Sequence, residues 1–175
     1  MAARPPAGKA NPARPNPARP ASLPTSLYAA AQLYTGERLQ DLLLATIDLG
    51  LVVDHAHWNV RGPGSHPLQR QFDSLSVALA GQRALLARRA AELGAAPDGR
   101  TGTVAADSSL PGLREGPLRA ADAVAAVVDG LDEVADLARE QLSGPGASDP
   151  EARYVVTGLT RLIERHRGML QRVAA

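Results

Sequence analysis

The sequence has no cysteine, few aromatic residues and a single lysine. Without cysteine the chain can form neither a disulfide nor a thiolate metal site, and it has no cysteine nucleophile. Aromatic residues make up 3% of the 175 residues, whereas apolar residues make up 45%. Because much of that apolar content is Leu and Ala, which are strong helix formers, the composition predicts a single-domain, all-α protein.

A long uncharged apolar run is also missing. Arg and Pro interrupt the first residues, unlike a secretory signal, and no later segment suits a bilayer span. We therefore expect a cytoplasmic protein that makes no membrane contact. The formal net charge is +1, but four basic residues precede the first acid, Glu37, so the rest of the chain carries −3 (+1 minus +4).

Residues 1–26 are rich in Pro, Ala and Arg and contain a direct repeat, Asn-Pro-Ala-Arg-Pro. Proline removes amide donors and disfavours helix at the preceding residue, so we expect a flexible, extended arm before a folded domain at 27–175. The arm is either a solvated extension or a cationic segment that neutralises DNA phosphates. The candidate DNA contacts are Arg4, Lys9, Arg14 and Arg19.

Apolar residues recur at three- and four-residue steps in four segments, which predicts four helices. The first runs from about Gly36 to Arg61, and the others from about 68 to 93, 120 to 142 and 149 to 173. The connection between 94 and 119 is unusually long, so it should cross the bundle. Two helical hairpins joined by one crossover predict a four-helix bundle with ferritin-like connectivity.

The end of the first predicted helix holds two of the four histidines and the only tryptophan. His55 and His57 are about 200° apart around a helix and cannot face one ligand, whereas Asp54 and His57 can. A structural or exposed histidine is the alternative to a metal ligand here. Trp58 is interpreted as a core or interface residue. The absence of a Glu-x-x-His motif argues against an ordinary ferritin di-iron centre.

The heptapeptide HWNVRGP at 57–63, the pair Phe72-Asp73 and the run AAELGAAPDG at 90–99 resemble the signature of the Dps family. These are the ferritin-like DNA-binding proteins of starved bacterial cells, and the resemblance covers about residues 35–172. It implies a four-helix subunit with a short extra helix in the crossover, assembled as a hollow dodecamer. It also implies iron oxidation by peroxide at sites shared between subunits, mineral storage inside the shell, and, in many members, DNA binding through basic terminal arms.

The metal site implied by this resemblance is incomplete. His57 and Asp73 match two of the family's ligands. Gln69 stands where the family has a second histidine, and Ala84 and Arg88 stand where the partner subunit supplies an aspartate and a glutamate. Three of the five ligands are thus replaced, and Arg88 puts a permanent cation where a divalent ion should bind. An ion pair between Arg88 and Asp73 across the subunit interface is our hypothesis for what replaces the metal.

Three functions remain open, and with them the question of whether the chain is an enzyme. The leading hypothesis is a Dps-like stress-protection protein that forms a hollow oligomer, associates with DNA in the nucleoid and has weak or absent ferroxidase activity. The rival is an active ferroxidase and iron-storage Dps that uses His57, Asp73 and further acids. The third is a structural shell subunit without DNA binding.

The expected cofactors and partners follow from the same resemblance. Iron is a candidate, bound weakly, and no organic cofactor is expected. Asp149 and Glu151 are the candidate acids for the iron-uptake pore, which the resemblance places at the start of the fourth helix. The expected partners are copies of the chain in a dodecamer, another Dps subunit in a mixed shell, and DNA bound by the arm.

Overall fold

The computed structural model of the protein describes residues 25–144 and 148–174 and contains five helices. They are α1 Thr25–Asn59, α2 Ser65–Glu92, α3 Thr101–Asp107, α4 Ala120–Ser143 and α5 Pro150–Ala174. Both α1 and α5 pack on α2 and α4, which closes a four-helix bundle, and α3 packs on α1 within the crossover. The predicted four-helix bundle with a short extra helix in its crossover is confirmed. The four basic residues of the predicted arm lie outside the described residues.

The first helix begins at Thr25, eleven residues before the predicted start at Gly36. Gly36 lies inside the helix, where a Cβ would come within 2.9 Å of the Ala95 side chain and 3.2 Å of the Ala90 carbonyl oxygen. This glycine therefore allows close packing of α1 against the end of α2 and does not start the helix. Most residues before it are exposed, so no buried periodicity marks that part of α1.

The end of α2 is a Schellman motif centred on Gly94, whose φ of +88° lies in the left-handed region. The Gly94 N–H donates to the Ala91 carbonyl at 3.0 Å, and the Ala95 N–H donates to the Ala90 carbonyl at 3.1 Å. These two bonds satisfy carbonyls that the helix end would leave without a partner. The predicted stop at this glycine is confirmed.

Two strands of two residues each were not expected. β1 (Val60–Arg61) pairs in parallel with β2 (Leu118–Arg119), with Val60 opposite Leu118. The first strand directly follows α1, and the second directly precedes α4. The pairing therefore fixes the end of the crossover beside the turn between α1 and α2.

The crossover is attached to α1 by polar side chains. The Gln40 amide donates to the Asp98 carbonyl at 2.7 Å and accepts from the Asp98 N–H at 2.9 Å. Ten residues further along the chain, the Ser108 hydroxyl donates to Asp48 at 2.5 Å. Hydrogen bonds from Arg100 and Thr103 hold the pKa of the Asp98 carboxyl well below its usual range. These bonds give the long connection a defined path across the bundle.

The core consists almost entirely of aliphatic side chains. Among the described residues, twelve large side chains are fully buried: Leu39, Leu42, Leu49, Leu68, Phe72, Leu75, Leu79, Leu86, Leu118, Leu131, Leu159 and Ile163. Trp58 is 64% exposed and Leu51 is 53% exposed, so the interpretation of Trp58 as a core residue is wrong. Across the described ranges, no helix is both long and apolar enough to span a bilayer.

The buried imidazole of His166 should make stability depend on pH. Burial, followed by the charge of Arg165, lowers the pKa of His166 from its ordinary 6.5. The unfolded chain therefore binds more protons, so the stabilising contribution is full above pH 6.5 and is lost as the pH falls below 6.5. Between about pH 6.5 and 5 we expect the free energy of unfolding to fall less in His166→Leu than in the native protein.

Denaturant unfolding at several pH values measures this difference. His66→Leu, which removes an exposed histidine, is the matched control and should follow the native curve. Parallel curves for all three proteins would contradict the prediction.

Candidate metal centre

Polar side chains fix the end of α1, where His57 lies. The Asn59 amide donates to the His55 carbonyl at 2.9 Å, and the Arg61 guanidinium donates to the Trp58 carbonyl at 2.7 Å. The second bond satisfies a carbonyl in the last turn that has no partner within the helix, and the first holds the Asn59 side chain against that turn. Together with the β1–β2 pairing, they define the direction in which the last turn of α1 presents its side chains.

His57 and Asp73 converge across the seam between α1 and α2. Nε2 of His57 lies 3.4 Å from Oδ1 of Asp73, and the two side chains are 28% and 65% exposed. An imidazole nitrogen and a carboxylate oxygen are both ligand types that iron accepts. The structure thus brings together the two residues that the sequence predicts as residual ligands.

The other three predicted positions do not complete a site within one chain. Gln69 lies one turn before Asp73, while Ala84 and Arg88 follow Asp73 by about 16 and 22 Å along α2. Arg88 is exposed, with its Nε 4.0 Å from Oε1 of Glu92. Within residues 25–144 and 148–174, no group of three or more His, Cys, Asp or Glu could hold a metal ion. One chain alone does not fit an iron site, and Arg88 can meet Asp73 only between two chains.

The remaining histidines lie elsewhere. Nε2 of His55 is 3.2 Å from the Arg114 carbonyl oxygen, so this ring contacts the crossover instead of α2. His66 is exposed near the start of α2, and His166 is buried in α5. Among carboxylates of the described residues, only Asp73 lies within 4.0 Å of a histidine ring, that of His57. The structure does not bring His55 and His66 together with acids as an alternative site.

A second polar cluster on the α1–α2 seam was missed from sequence. The Ser76 hydroxyl donates to Asp54 at 2.7 Å, so Asp54 faces α2, as His57 does, but has its own partner there. The Arg83 guanidinium donates to the Thr46 carbonyl at 3.3 Å and fills the space where a Cβ on Gly50 would lie. Burial lowers the pKa of Arg83, and the charge of Asp54 raises it. In the sequence, the one signal that Arg83 approaches α1 so closely is Gly50, a glycine within a long helix.

Both candidate pore acids lie beside a fixed cation. Arg89 donates to the Asp149 carboxylate at 2.6 and 3.2 Å, and the Ala152 N–H donates to it at 2.6 Å, as at a helix N-cap. Burial raises the pKa of Asp149, but these hydrogen bonds hold it below its ordinary value. Glu151 is 4.0 Å from the same guanidinium. This cation reduces the attraction of both acids for a ferrous ion.

Comparison with known proteins gives two curated relatives and a set of solved structures, and no family model matches. The chain is 26% identical over 128 residues to the DNA protection during starvation protein of Agrobacterium fabrum, covering 73% of this chain and 79% of that protein. It is 29% identical over 129 residues to the fine tangled pili major subunit of Haemophilus ducreyi, covering 74% and 68%.

Among solved structures, the DPS protein of Vibrio cholerae matches with a TM-score of 0.78 at 18% identity, covering 84% of this chain and 92% of that one. Its description places it in a broad superfamily of ferritin-like diiron-carboxylate proteins. The chain resembles Dps proteins in sequence and has their ferritin-like fold. This Dps relationship confirms the predicted ferritin-like connectivity, in which two helical hairpins are joined by one long crossover. The set of metal ligands inferred from the Dps resemblance stays a prediction.

Proposed function

We propose that the chain is a Dps-like stress-protection protein that forms a hollow oligomer, associates with DNA and has weak or absent ferroxidase activity. The proposal of weak or absent ferroxidase activity rests on the composition of the candidate metal centre. His57 and Asp73 lie 3.4 Å apart, but no third protein ligand joins them within the described chain. In this proposal iron is a substrate and not a resident cofactor, because two protein ligands are too few to bind it tightly.

Arg88 makes the centre unfavourable for a ferrous ion. The guanidinium is exposed, and an arginine side chain is cationic. When Arg88 of the partner subunit occupies the position that the family gives to a carboxylate, a cation replaces an anion beside Asp73. The pair between Arg88 and Asp73 then links the subunits without a metal.

An apolar surface on α1 and α2 supports self-association. Leu51 and Trp58 are seven residues apart, so they share one face of α1, and both are more than half exposed. Val77, 75% exposed on α2, follows Ser76, whose hydroxyl bonds to Asp54 on α1. Exposed apolar surfaces of this kind mark protein interfaces.

DNA association is proposed for the basic arm. The arm carries four basic residues and no acid, and such segments bind phosphates in a sequence-independent manner. A curated relative named for DNA protection supports this assignment. In the bundle to which the arm is attached, α1 and α4 are acidic. Helix α1 has one basic and four acidic residues, and α4 has one basic and six acidic residues.

That acidic pair of helices favours a second candidate, a structural shell subunit without DNA binding. The net charge is −3 on α1 (1 − 4) and −5 on α4 (1 − 6), counting histidine as neutral. Such a surface repels nucleic acid at low ionic strength. Measurements of DNA binding distinguish this candidate from the leading one.

The first prediction from this proposal concerns oxidation of ferrous iron by the purified, metal-free oligomer. We expect the native protein to oxidise it with peroxide or oxygen no faster than buffer, because three ligand positions lack a suitable side chain. The variant Gln69→His, Ala84→Asp, Arg88→Glu should gain activity. Absorbance of the ferric product and the iron retained after gel filtration measure both quantities.

The matched control for this experiment is the double variant Gln69→His, Ala84→Asp, which keeps Arg88. It should gain less than the triple variant, because the cation remains at the site. Rapid oxidation and iron retention by the native protein would overturn the proposal and support the active ferroxidase.

The second prediction tests the ion pair between subunits by exchanging its charges. Arg88→Asp should raise the protein concentration at which the oligomer dissociates by about tenfold, because it leaves two acids facing each other. Asp73→Arg combined with Arg88→Asp should restore assembly. Size-exclusion chromatography with light scattering on serial dilutions measures the change.

Arg70→Asp is the control for the charge exchange, since Arg70 is an exposed arginine on the same helix. If Arg88→Asp and Arg70→Asp assemble equally well, or if the exchanged pair fails to recover, Arg88 does not pair with Asp73.

The third prediction concerns the arm. Replacing Arg4, Lys9, Arg14 and Arg19 by Gln should weaken binding to duplex DNA. It should also reduce the slope of log affinity against log salt concentration by about 3 to 4 for each arm that contacts the DNA. Fluorescence anisotropy at about 50 to 200 mM salt measures this slope. Binding that survives both the substitutions and the higher salt would exclude the arm, and absence of binding by the native protein would favour the structural shell.

A further inference from the structure

The arginines without a partner lie on one side of the bundle. The arginines on α1, the crossover and α4 each form an ion pair with a carboxylate. Five other arginines make neither an ion pair nor a side-chain hydrogen bond with another residue in the described ranges: Arg70, Arg153, Arg161, Arg165 and Arg172. Four of these five are on α5, and the fifth is on α2.

Three of the α5 arginines lie along one ridge of the helix, with Thr157 between the first two. Arg153, Thr157, Arg161 and Arg165 follow one another at steps of four residues, so they lie along one ridge about 6 Å apart. Like charges four residues apart repel each other on a helix surface, as Arg161 and Arg165 are placed, while Arg153 is about 12 Å from Arg161. Glu164 also lies on α5 but makes no ion pair with another described residue. The repulsion within the row is therefore not relieved by the protein's own acids.

A pocket of about 330 Å³ opens on this row. It is lined by Pro150, Arg153, Tyr154, Thr157, Gly158 and Arg161. Two guanidinium groups, a hydroxyl and a phenol can donate hydrogen bonds there. Tyr154 is 76% exposed, so its ring is available to a ligand. The pocket offers many donors and no carboxylate.

The wider charge distribution favours an anion on the same side. α5 has five bases and two acids, a net charge of +3, and α2 has four bases and two acids, a net charge of +2. The opposite pair, α1 and α4, carries −3 and −5. A surface with one sign of charge raises the local concentration of counter-ions. The bundle therefore directs anions toward α2 and α5.

We propose that the exposed face of α5 binds the phosphate groups of a short phosphate chain, with Arg153 and Arg161 as the principal contacts. The planar guanidinium matches phosphate oxygens through paired hydrogen bonds, and Thr157 lies between the two arginines in the row. A short phosphate chain can enter the pocket, whereas a DNA duplex presents its phosphates on a broad, rigid surface. Arg165 and Arg172 extend the basic surface beyond the pocket.

Tripolyphosphate binding to the metal-free, full-length protein tests this proposal by calorimetry. We expect binding to be stronger than sulfate binding at matched ionic strength. Arg153→Gln, Arg161→Gln should weaken it by about tenfold or more, because charge-assisted hydrogen bonds are lost. The control Arg119→Gln, Arg139→Gln makes the same change in net charge on other elements and should bind within about twofold of the native protein. Thermal unfolding of both variants checks that they fold.

Three outcomes would overturn the proposal. The first is that the native protein does not bind tripolyphosphate, and the second is that the control variant loses as much tripolyphosphate affinity as the Arg153, Arg161 variant. The third is that Arg153 and Arg161 bind a short DNA duplex but not tripolyphosphate. The substitutions leave His57, Asp73 and Arg88 unchanged. A failure here is therefore separate from a failure of the proposed function.

Discussion

The packing of α1 along α2 is the contact on which the candidate site depends. Aliphatic side chains bury the inner faces of both helices, and the small residue Gly50 admits the Arg83 guanidinium between them. At the edge of the same seam, His57 meets Asp73, and Ser76 meets Asp54. A shift of one helix along the other by one turn, about 5.4 Å, would separate both pairs. The seam thus sets the geometry of the site even though neither ligand belongs to the core.

Positive and negative charge lie on different helices of the bundle around this packed core. The negative helix α1 lies against the positive helix α2, and the negative helix α4 lies against the positive helix α5, so each helix borders one of opposite sign and one of the same sign. Ion pairs offset part of this charge: Arg167 on α5 pairs with Asp132 on α4 at 3.2 Å, and Arg89 on α2 pairs with Asp149, which directly precedes α5. The arginines on the outer face of α5 face away from these acids. Their repulsion is screened by solvent ions, or is relieved when an anion binds.

Buried periodicity explains which parts of the fold could be predicted from the sequence. α2, α4 and α5 begin and end within three residues of the expected positions, because apolar residues recur along them and Gly or Pro marks most of the ends. The first eleven residues of α1 were missed because they bury little. The β1–β2 pairing and the bonds of Gln40 to Asp98 join residues that are distant in sequence. No local pattern encodes such contacts.

The site was predictable to a smaller extent. Helical spacing indicated that Asp54 and His57 share a face, but only the family resemblance pointed to Asp73 as the partner of His57. Spacing could not assign Ser76 to Asp54, because the partner of a surface acid depends on how the two helices are aligned. Trp58 was ambiguous for a related reason: an apolar residue at the end of a helix can face the core or another subunit. Its exposure of 64% decides against the core.

The positions that define the metal centre also explain how the fold can persist without metal chemistry. Asp73, Ala84 and Arg88 are exposed, and Gln69 is half-buried, so none of these side chains fills the aliphatic core. Substitutions at such positions usually change stability by less than about 0.5 kcal/mol. A bundle of this kind can therefore accept different side chains at these positions while keeping the packing that builds the subunit. His57 and Asp73 lie on the α1–α2 seam, where the contact between imidazole and carboxylate joins the two helices.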